Sequence, residues 1–247
     1  AAVVDLEGVA KLSPGRFGEV SLLFPRERIH GISRPSPRDD THLELHVVVD
    51  VSAGVPLAAL TAWGLVVETA RAHEGQRILI HAGSGGVGHF AVQLAAYFGA
   101  HVTATASAHN GAWLRELGAS VVIDYATTRF EDVVADVDVV IDLVGNVHDD
   151  TGTRSLTVLR PGGLYVIVPT GSWPGYAAAA AEAGVRATSY KVIPDGQALA
   201  TISRLIDAGT LQVYVEKSYP LDEAQAAHAA LDGGHTRGKL VLRVSEG

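Results

Sequence analysis

The 247-residue chain contains no cysteine and no methionine. Without cysteine there can be no disulfides and no thiolate ligands, so cysteine-held zinc sites, catalytic or structural, are excluded. Histidine and carboxylate ligands remain, but none cluster at a suitable spacing. The run His148-Asp149-Asp150 offers three consecutive loop side chains, which do not easily converge on one ion, and no metal site is expected. The missing methionine, in a chain that opens on Ala1, fits selenomethionine residues lost from the written sequence, processing, or chance for part of it. Neighbours in the sequence then need not all be covalent neighbours.

No apolar run reaches the roughly 18 residues that a membrane helix needs, and no basic-then-apolar leader opens the chain. A membrane partner is not expected, and the expected compartment is the cytoplasm. Positive charge is also short, with 19 Lys and Arg against 27 Asp and Glu and a net charge of −8. Nucleic acid demands a basic face, so it is not an expected partner. An anionic ligand must instead be held by local donors. A Tyr-x-x-x-Lys pair is absent too, since Tyr165 is followed at that spacing by Pro169 and Tyr190 by Pro194, which argues against a short-chain dehydrogenase. With 47% hydrophobic residues, the length suffices for one large domain or two modest ones.

What is present is organised around residues 77 to 98. Arg77 to Ala82 is a short β-branched apolar run, and Val87 to Phe98 carries apolar residues at helical spacing. Between them Gly83-Ser84-Gly85-Gly86-Val87-Gly88 matches G-x-G-x-x-G. Gly83 permits a tight turn, Gly85 lets backbone approach a pyrophosphate, Gly88 allows close helix–strand packing, and the helix start offers free N–H groups. The turn is therefore an expected cofactor cradle. Alone the pattern is weak, because glycine-rich turns also serve as plain connections. The return of the chain as a second strand, His101 to Ala106, completes a βαβ unit of about 30 residues and strengthens it.

The tip of that second strand bears on cofactor choice. An NAD site places a carboxylate there, roughly 20 residues past the glycines, to hold the ribose 2′-hydroxyl. Here the chain reads Ser107-Ala108-His109-Asn110, with Arg115 nearby. Ser107 and Asn110 are expected to meet a 2′-phosphate, so NADPH is favoured over NADH. Each could equally be a helix cap.

Further strands are expected at Val121–Asp124, Val137–Val144, Leu164–Val168, Val185–Ile193, Leu211–Val215 and Lys239–Val244. Helices are expected at Pro56–Ala72, Asn110–Leu117, Phe130–Ala135, Arg154–Leu159, Ala177–Ala183, Gln197–Ala208 and from Pro220 to Leu231, with a turn at Pro161-Gly162-Gly163. Ligands gather at the C-terminal ends of open parallel sheets. That places Tyr125 at the adenosine end, Val144 and Gly145 beside the ribose, and Val168 and Thr170 at the nicotinamide pocket. Asp142, inside an apolar strand, reads as structural. Before residue 53, Ala1–Ala10, Glu19–Phe24 and Leu43–Val51 read as strands, with loop from Pro25 to Thr41. His235, Arg237 and Lys239 precede or open the terminal strand, where a basic pair is usually solvated.

Several segments occur in order: Pro56-Leu57-Ala58-Ala59-Leu60-Thr61-Ala62-Trp63, the Gly83–Gly88 turn, Glu116-Leu117-Gly118-Ala119, Val122-Ile123-Asp124-Tyr125, Val140-Ile141-Asp142, Leu159-Arg160-Pro161-Gly162-Gly163 and Arg237-Gly238-Lys239-Leu240-Val241-Leu242. They resemble the zinc-free quinone oxidoreductase and enoyl reductase branch of the medium-chain dehydrogenase/reductase superfamily, over roughly residues 53 to 247. The resemblance implies an α/β fold, a Rossmann-type doubly wound parallel sheet at 53–210, plus a GroES-like β-barrel domain. Only residues 1–52 remain for that barrel, which is therefore either degenerate or missing segments, the second being favoured; residues 211–247 would return to the substrate side. It also implies that Thr61 reaches the nicotinamide, that Lys239 reaches the cofactor phosphates or the active-site mouth, and that the chain dimerises through the strand at Val185–Ile193. The implied reaction is hydride transfer from NADPH to an enone, enoyl thioester or quinone without a metal. No catalytic proton donor is identifiable. The alternative is a non-redox member that cyclises, isomerises or only binds its substrate.

Overall fold

The computed structural model describes residues 57–243 with their side chains and the backbone of three segments before them, 11–14, 20–23 and 28–29. The chain divides into two compact units, Ala1–Ala53 and Gly54–Gly247. In the first, Lys11–Pro14 (β1), Val20–Leu23 (β2) and Arg28–Ile29 (β3) form an antiparallel sheet with β2 in the middle. Of the strands expected here, β2 falls within Glu19–Phe24, and β3 occupies a stretch read as loop. Ala1–Ala10 and Leu43–Val51 lie outside the described residues.

The second unit opens with Leu57–Trp63 (α1), which widens into a π-helical segment at Gly64–Thr69 where one regular helix is expected; Ala70 N–H reaches back to Leu65 O at 2.8 Å. Six strands follow: Arg77–Ile80 (β4), His101–Ala106 (β5), Val121–Asp124 (β6), Val137–Asp142 (β7), Leu159–Ile167 (β8) and Arg186–Ser189 (β9). They lie in the order β6-β5-β4-β7-β8-β9, all parallel. The strand order reverses between β4 and β7, the switch point at which doubly wound sheets bind ligands. Ile78, Leu79 and Ile80 have no exposed surface, as strands covered on both faces require.

The covering helices are Gly88–Tyr97 (α2), Gly111–Glu116 (α3), Thr151–Thr157 (α4), Tyr176–Glu182 (α5) and Gly196–Asp207 (α6). α1, α2, α3 and α6 contribute to the core on one face of the sheet, and α4 and α5 to the core on the other. α6 starts where it does because the Asp195 carboxylate accepts the Gln197 and Ala198 N–H groups at 2.8 and 3.0 Å, capping orphan donors of the first turn.

Two expectations are corrected here. The Pro161-Gly162-Gly163 turn does not precede β8 but lies inside it, as an irregularity: Val137 pairs with Leu159 while Val139 pairs with Leu164, and Gly162 takes φ +71°. The strand expected at Leu211–Val215 is displaced to Val215–Pro220 (β10), which pairs in parallel with Lys239–Arg243 (β11). Leu211 is buried in the core, and the backbone of Gln212 is satisfied by a side chain instead of a ladder: Gln93 Oε1 accepts its N–H at 2.7 Å and Gln93 Nε2 donates to its carbonyl at 3.0 Å. Ala224–Asp232 (α7) packs on β10 and β11 in a small separate cluster. Among the described residues no helix is long and apolar enough to cross a membrane.

Candidate dinucleotide site

β4 brings the chain to the C-terminal end of the sheet, and the glycine-rich turn follows. Each motif glycine is needed sterically. A Cβ on Gly83 would stand 2.8 Å from Ala104 Cβ, one on Gly85 3.2 Å from the Ala82 carbonyl oxygen, and one on Gly88 would collide with that same oxygen. The helix that follows is ten residues long, and its start points unpaired N–H groups at the turn, as every helix start does. Lys239, 4% exposed, brings its ammonium so close that a Cβ on Gly86 would lie 2.7 Å from Nζ. The preceding Gly238 N–H donates to Ser84 O at 2.9 Å, stitching β11 to the turn. Beneath, buried His89 sits with Nδ1 2.9 Å from Gly85 O. Burial, together with the nearby Lys239 ammonium, pushes its pKa down to about 4 against the raising effect of that hydrogen bond. The ring is therefore neutral, donating from Nδ1, and the positive charge at the turn belongs to Lys239.

At the tip of β5, Ser107 Oγ and Tyr125 OH are 2.9 Å apart, with Tyr125 57% exposed. Asn110 is buried, and its Oδ1 accepts from Arg237 Nε at 2.7 Å. The Arg237 guanidinium also reaches His109 O at 3.4 Å and lies 5.1 and 5.6 Å from the ring centroids of Trp113 and Tyr214, within cation–π range. This corrects the reading of the Arg237 region as a solvated basic pair. Arg115, the cation expected here, points back along α3 toward Gly111. Sequence reasoning missed Arg237 because no local pattern connects it to Asn110. Glu216, the carboxylate nearby, is engaged with the Arg237 backbone N–H at 2.9 Å.

At the tips of β7 and β8, Asp142 is fully buried, and its Oδ1 accepts the Val144 and Gly145 N–H groups, both at 2.8 Å. Tyr165 OH donates to Oδ2 at 2.5 Å. Burial pushes the Tyr165 phenol pKa up, and the Asp142 charge adds to it, so the phenol stays a donor. Asp142 thus shapes the loop at which Val144 and Gly145 stand. Gly145, at φ +79°, leaves its Cβ space to the Ser172 hydroxyl, which donates to Pro169 O at 2.8 Å. The loop carrying Val168 and Thr170 is thereby held against it, and Val168 N–H donates to Asp142 O at 3.0 Å. Thr61 is buried, with its hydroxyl donating to Leu57 O at 2.8 Å. Gly64, three residues on, accommodates the Tyr190 ring.

A family profile described as zinc-binding dehydrogenase matches residues 117–242, just over half of the chain. The chain belongs to the medium-chain dehydrogenase/reductase superfamily. Among members of the superfamily, it is 32% identical over 245 residues to a 2-haloacrylate reductase of Burkholderia sp, covering 89% of this chain and 68% of that protein. The quinone oxidoreductase from Coxiella burnetii matches 77% of this chain and 59% of its own at TM-score 0.73 and 38% identity. The Escherichia coli quinone oxidoreductase complexed with NADPH matches 76% and 63% at TM-score 0.67 and 30% identity. The chain spans 57% to 68% of the length of the first curated relatives that it matches. The zinc in the profile's description does not fit the donors present: cysteine is absent, and among the described residues no group of three or more His, Asp and Glu could hold a metal ion.

Proposed function

We propose that this superfamily member is an NADPH-dependent oxidoreductase that reduces an activated C=C bond or a quinone by hydride transfer without a metal. The observation that carries the reading is Arg237 at the tip of β5, beside Asn110 and near Ser107, where an NAD site has a carboxylate. A guanidinium bound to an amide oxygen keeps further N–H donors for a phosphate. The cradle at Gly83–Gly88 and the Lys239 ammonium suit the diphosphate. The relatives add a reductase of a substituted acrylate, which is an activated alkene, and a quinone oxidoreductase crystallised with NADPH.

When bound, the cofactor supplies the hydride. The chain's residues then have separate tasks. Ser84 to Gly88 and Lys239 hold the diphosphate, while Ser107, Asn110, Tyr125 and Arg237 hold the adenosine end. Val144 and Gly145 flank the ribose. Thr61, Val168 and Thr170 orient the nicotinamide and keep water from one of its faces. A second copy is expected to pair along β9, which ends the sheet and exposes a strand edge.

The test is to titrate the purified chain with NADPH and with NADH by nicotinamide fluorescence, then add an enone or a quinone and follow absorbance. Tighter NADPH binding with oxidation on adding acceptor supports the proposal. Binding without oxidation across several acceptors supports a non-redox member of the fold, and no binding of either nucleotide sinks both the cofactor and the reaction.

A further inference from the structure

A chain of buried polar groups crosses beneath the glycine-rich turn, and each hydrogen in it has one possible direction. Ser155 Oγ donates to Thr151 O at 2.7 Å, so toward His81 Nε2, 2.9 Å away, it can only accept. His81 is therefore protonated on Nε2. Its Nδ1 must then accept, and the group 3.1 Å from it is Thr105 Oγ1, which donates. Thr105 Oγ1 in turn accepts the Ala82 N–H at 3.2 Å, while the Thr105 carbonyl accepts the Gly83 N–H at 2.9 Å. His81 is 2% exposed, Thr105 4% and Ser155 0%.

The far end of this relay is the peptide that shapes the turn. Ala82 stands at φ +51°, a left-handed conformation that costs a non-glycine residue about 1 kcal/mol and persists only when its surroundings hold it. Its carbonyl accepts the Gly85 N–H at 3.0 Å and occupies the space that a side chain on Gly88 would need. Rotation of the Ala82 peptide would move both glycines. An apolar side chain could fill the volume beside Phe130, whose ring lies 4.6 Å from that of His81, but could not orient the Thr105 hydroxyl.

We infer that His81 is a positioning residue, which, through the Thr105 hydroxyl, aims the Ala82–Gly83 peptides and so presets the glycine-rich turn for the cofactor diphosphate. The inference rests on the proposed dinucleotide reading of this site. It makes cofactor affinity depend on a ring that touches no cofactor, from the opposite side of the sheet's switch point.

The test compares the wild-type chain with Thr105→Val, which keeps the shape and removes the hydroxyl, Thr105→Ser, which restores it, and Ser155→Ala at the distant end. NADPH Kd is read by fluorescence, KM and kcat with an enone, and Tm by thermal melting. Thr105→Val is expected to raise Kd and the NADPH KM about tenfold, the order expected for one lost buried hydrogen bond. kcat and the acceptor KM at saturating NADPH stay within about twofold, and Thr105→Ser recovers most of the affinity. Ser155→Ala raises Kd in the same direction, and combining it with Thr105→Val adds little, because either change frees the same ring. If Thr105→Val fails to fold, Ser155→Ala decides alone. A lower Tm with unchanged Kd in these variants, or equal losses in every kinetic constant, overturns the inference while leaving the cofactor reading intact. A wild-type chain that binds no NADPH overturns both.

Discussion

The Nε–H of Arg237 donates to Oδ1 of Asn110 at 2.7 Å across 127 positions of sequence, and so closes the adenosine corner of the candidate site with a cation. The guanidinium lies near the Trp113 and Tyr214 rings, which limits its freedom before any ligand arrives. Preorganisation of this kind reduces the side-chain entropy lost on binding.

Replacing Arg237 by Gln keeps a donor and removes the charge. Affinity for NADPH is expected to fall by ~10- to 100-fold, while that for NADH changes by less than about threefold, since a charge-assisted contact to the 2′-phosphate is lost and nothing that NADH uses is touched. Parallel fluorescence titrations of both nucleotides measure the ratio. Equal weakening of both would remove Arg237 from the 2′-phosphate.

Tyr165→Phe leaves buried Asp142 Oδ2 without the donor that now lies 2.5 Å away. An unpaired buried carboxylate oxygen costs ~1–3 kcal/mol or more, and the Val144–Gly145 loop that Asp142 organises should loosen with it. Urea denaturation should show a lowered midpoint with little change in slope. A midpoint equal to that of the wild type would mean that water replaces the phenol.

Acid should destabilise the fold before the carboxylates titrate. Burial lowers both His81 and His89 to about 4 from an ordinary 6.5. Around His81, the charges of Asp142 and Glu131 raise its pKa and that of Arg154 lowers it, but desolvation dominates. Between pH 6.5 and 4 the unfolded chain therefore binds more protons than the folded one. Stability is full above 6.5 and is lost as pH falls through that window, at up to ~1.4 kcal/mol per pH unit for each ring. Urea midpoints at pH 7, 5.5 and 4.5 measure the slope, and His89→Gln should flatten it. A wild-type midpoint that is constant from pH 7 to 5 would show that neither ring is held neutral.

Much of this protein was legible in one dimension. The βαβ unit, the six parallel strands and the glycine-rich turn follow from β-branched runs, helical spacing and glycines at fixed intervals. Those are local signals, carried by residues close together in sequence. The absence of a carboxylate after β5 was equally plain, and so was the impossibility of a cysteine-held zinc. The π-helical widening at Gly64–Thr69 was not legible, because it accompanies the packing of Tyr190 on Gly64 from the far end of the sheet. Nor was the displacement of β10, since Gln93 satisfies the Gln212 backbone from 119 positions away. Lys239 over Gly86, Arg237 on Asn110, and the neutral His81 between Thr105 and Ser155 are all pairings of distant residues. Sequence by itself determined which elements form and where the anion cradle lies. Only the tertiary structure decided which charges and hydroxyls stand around that cradle, because the order of strands in the sheet sets who meets whom, and no local periodicity encodes that order.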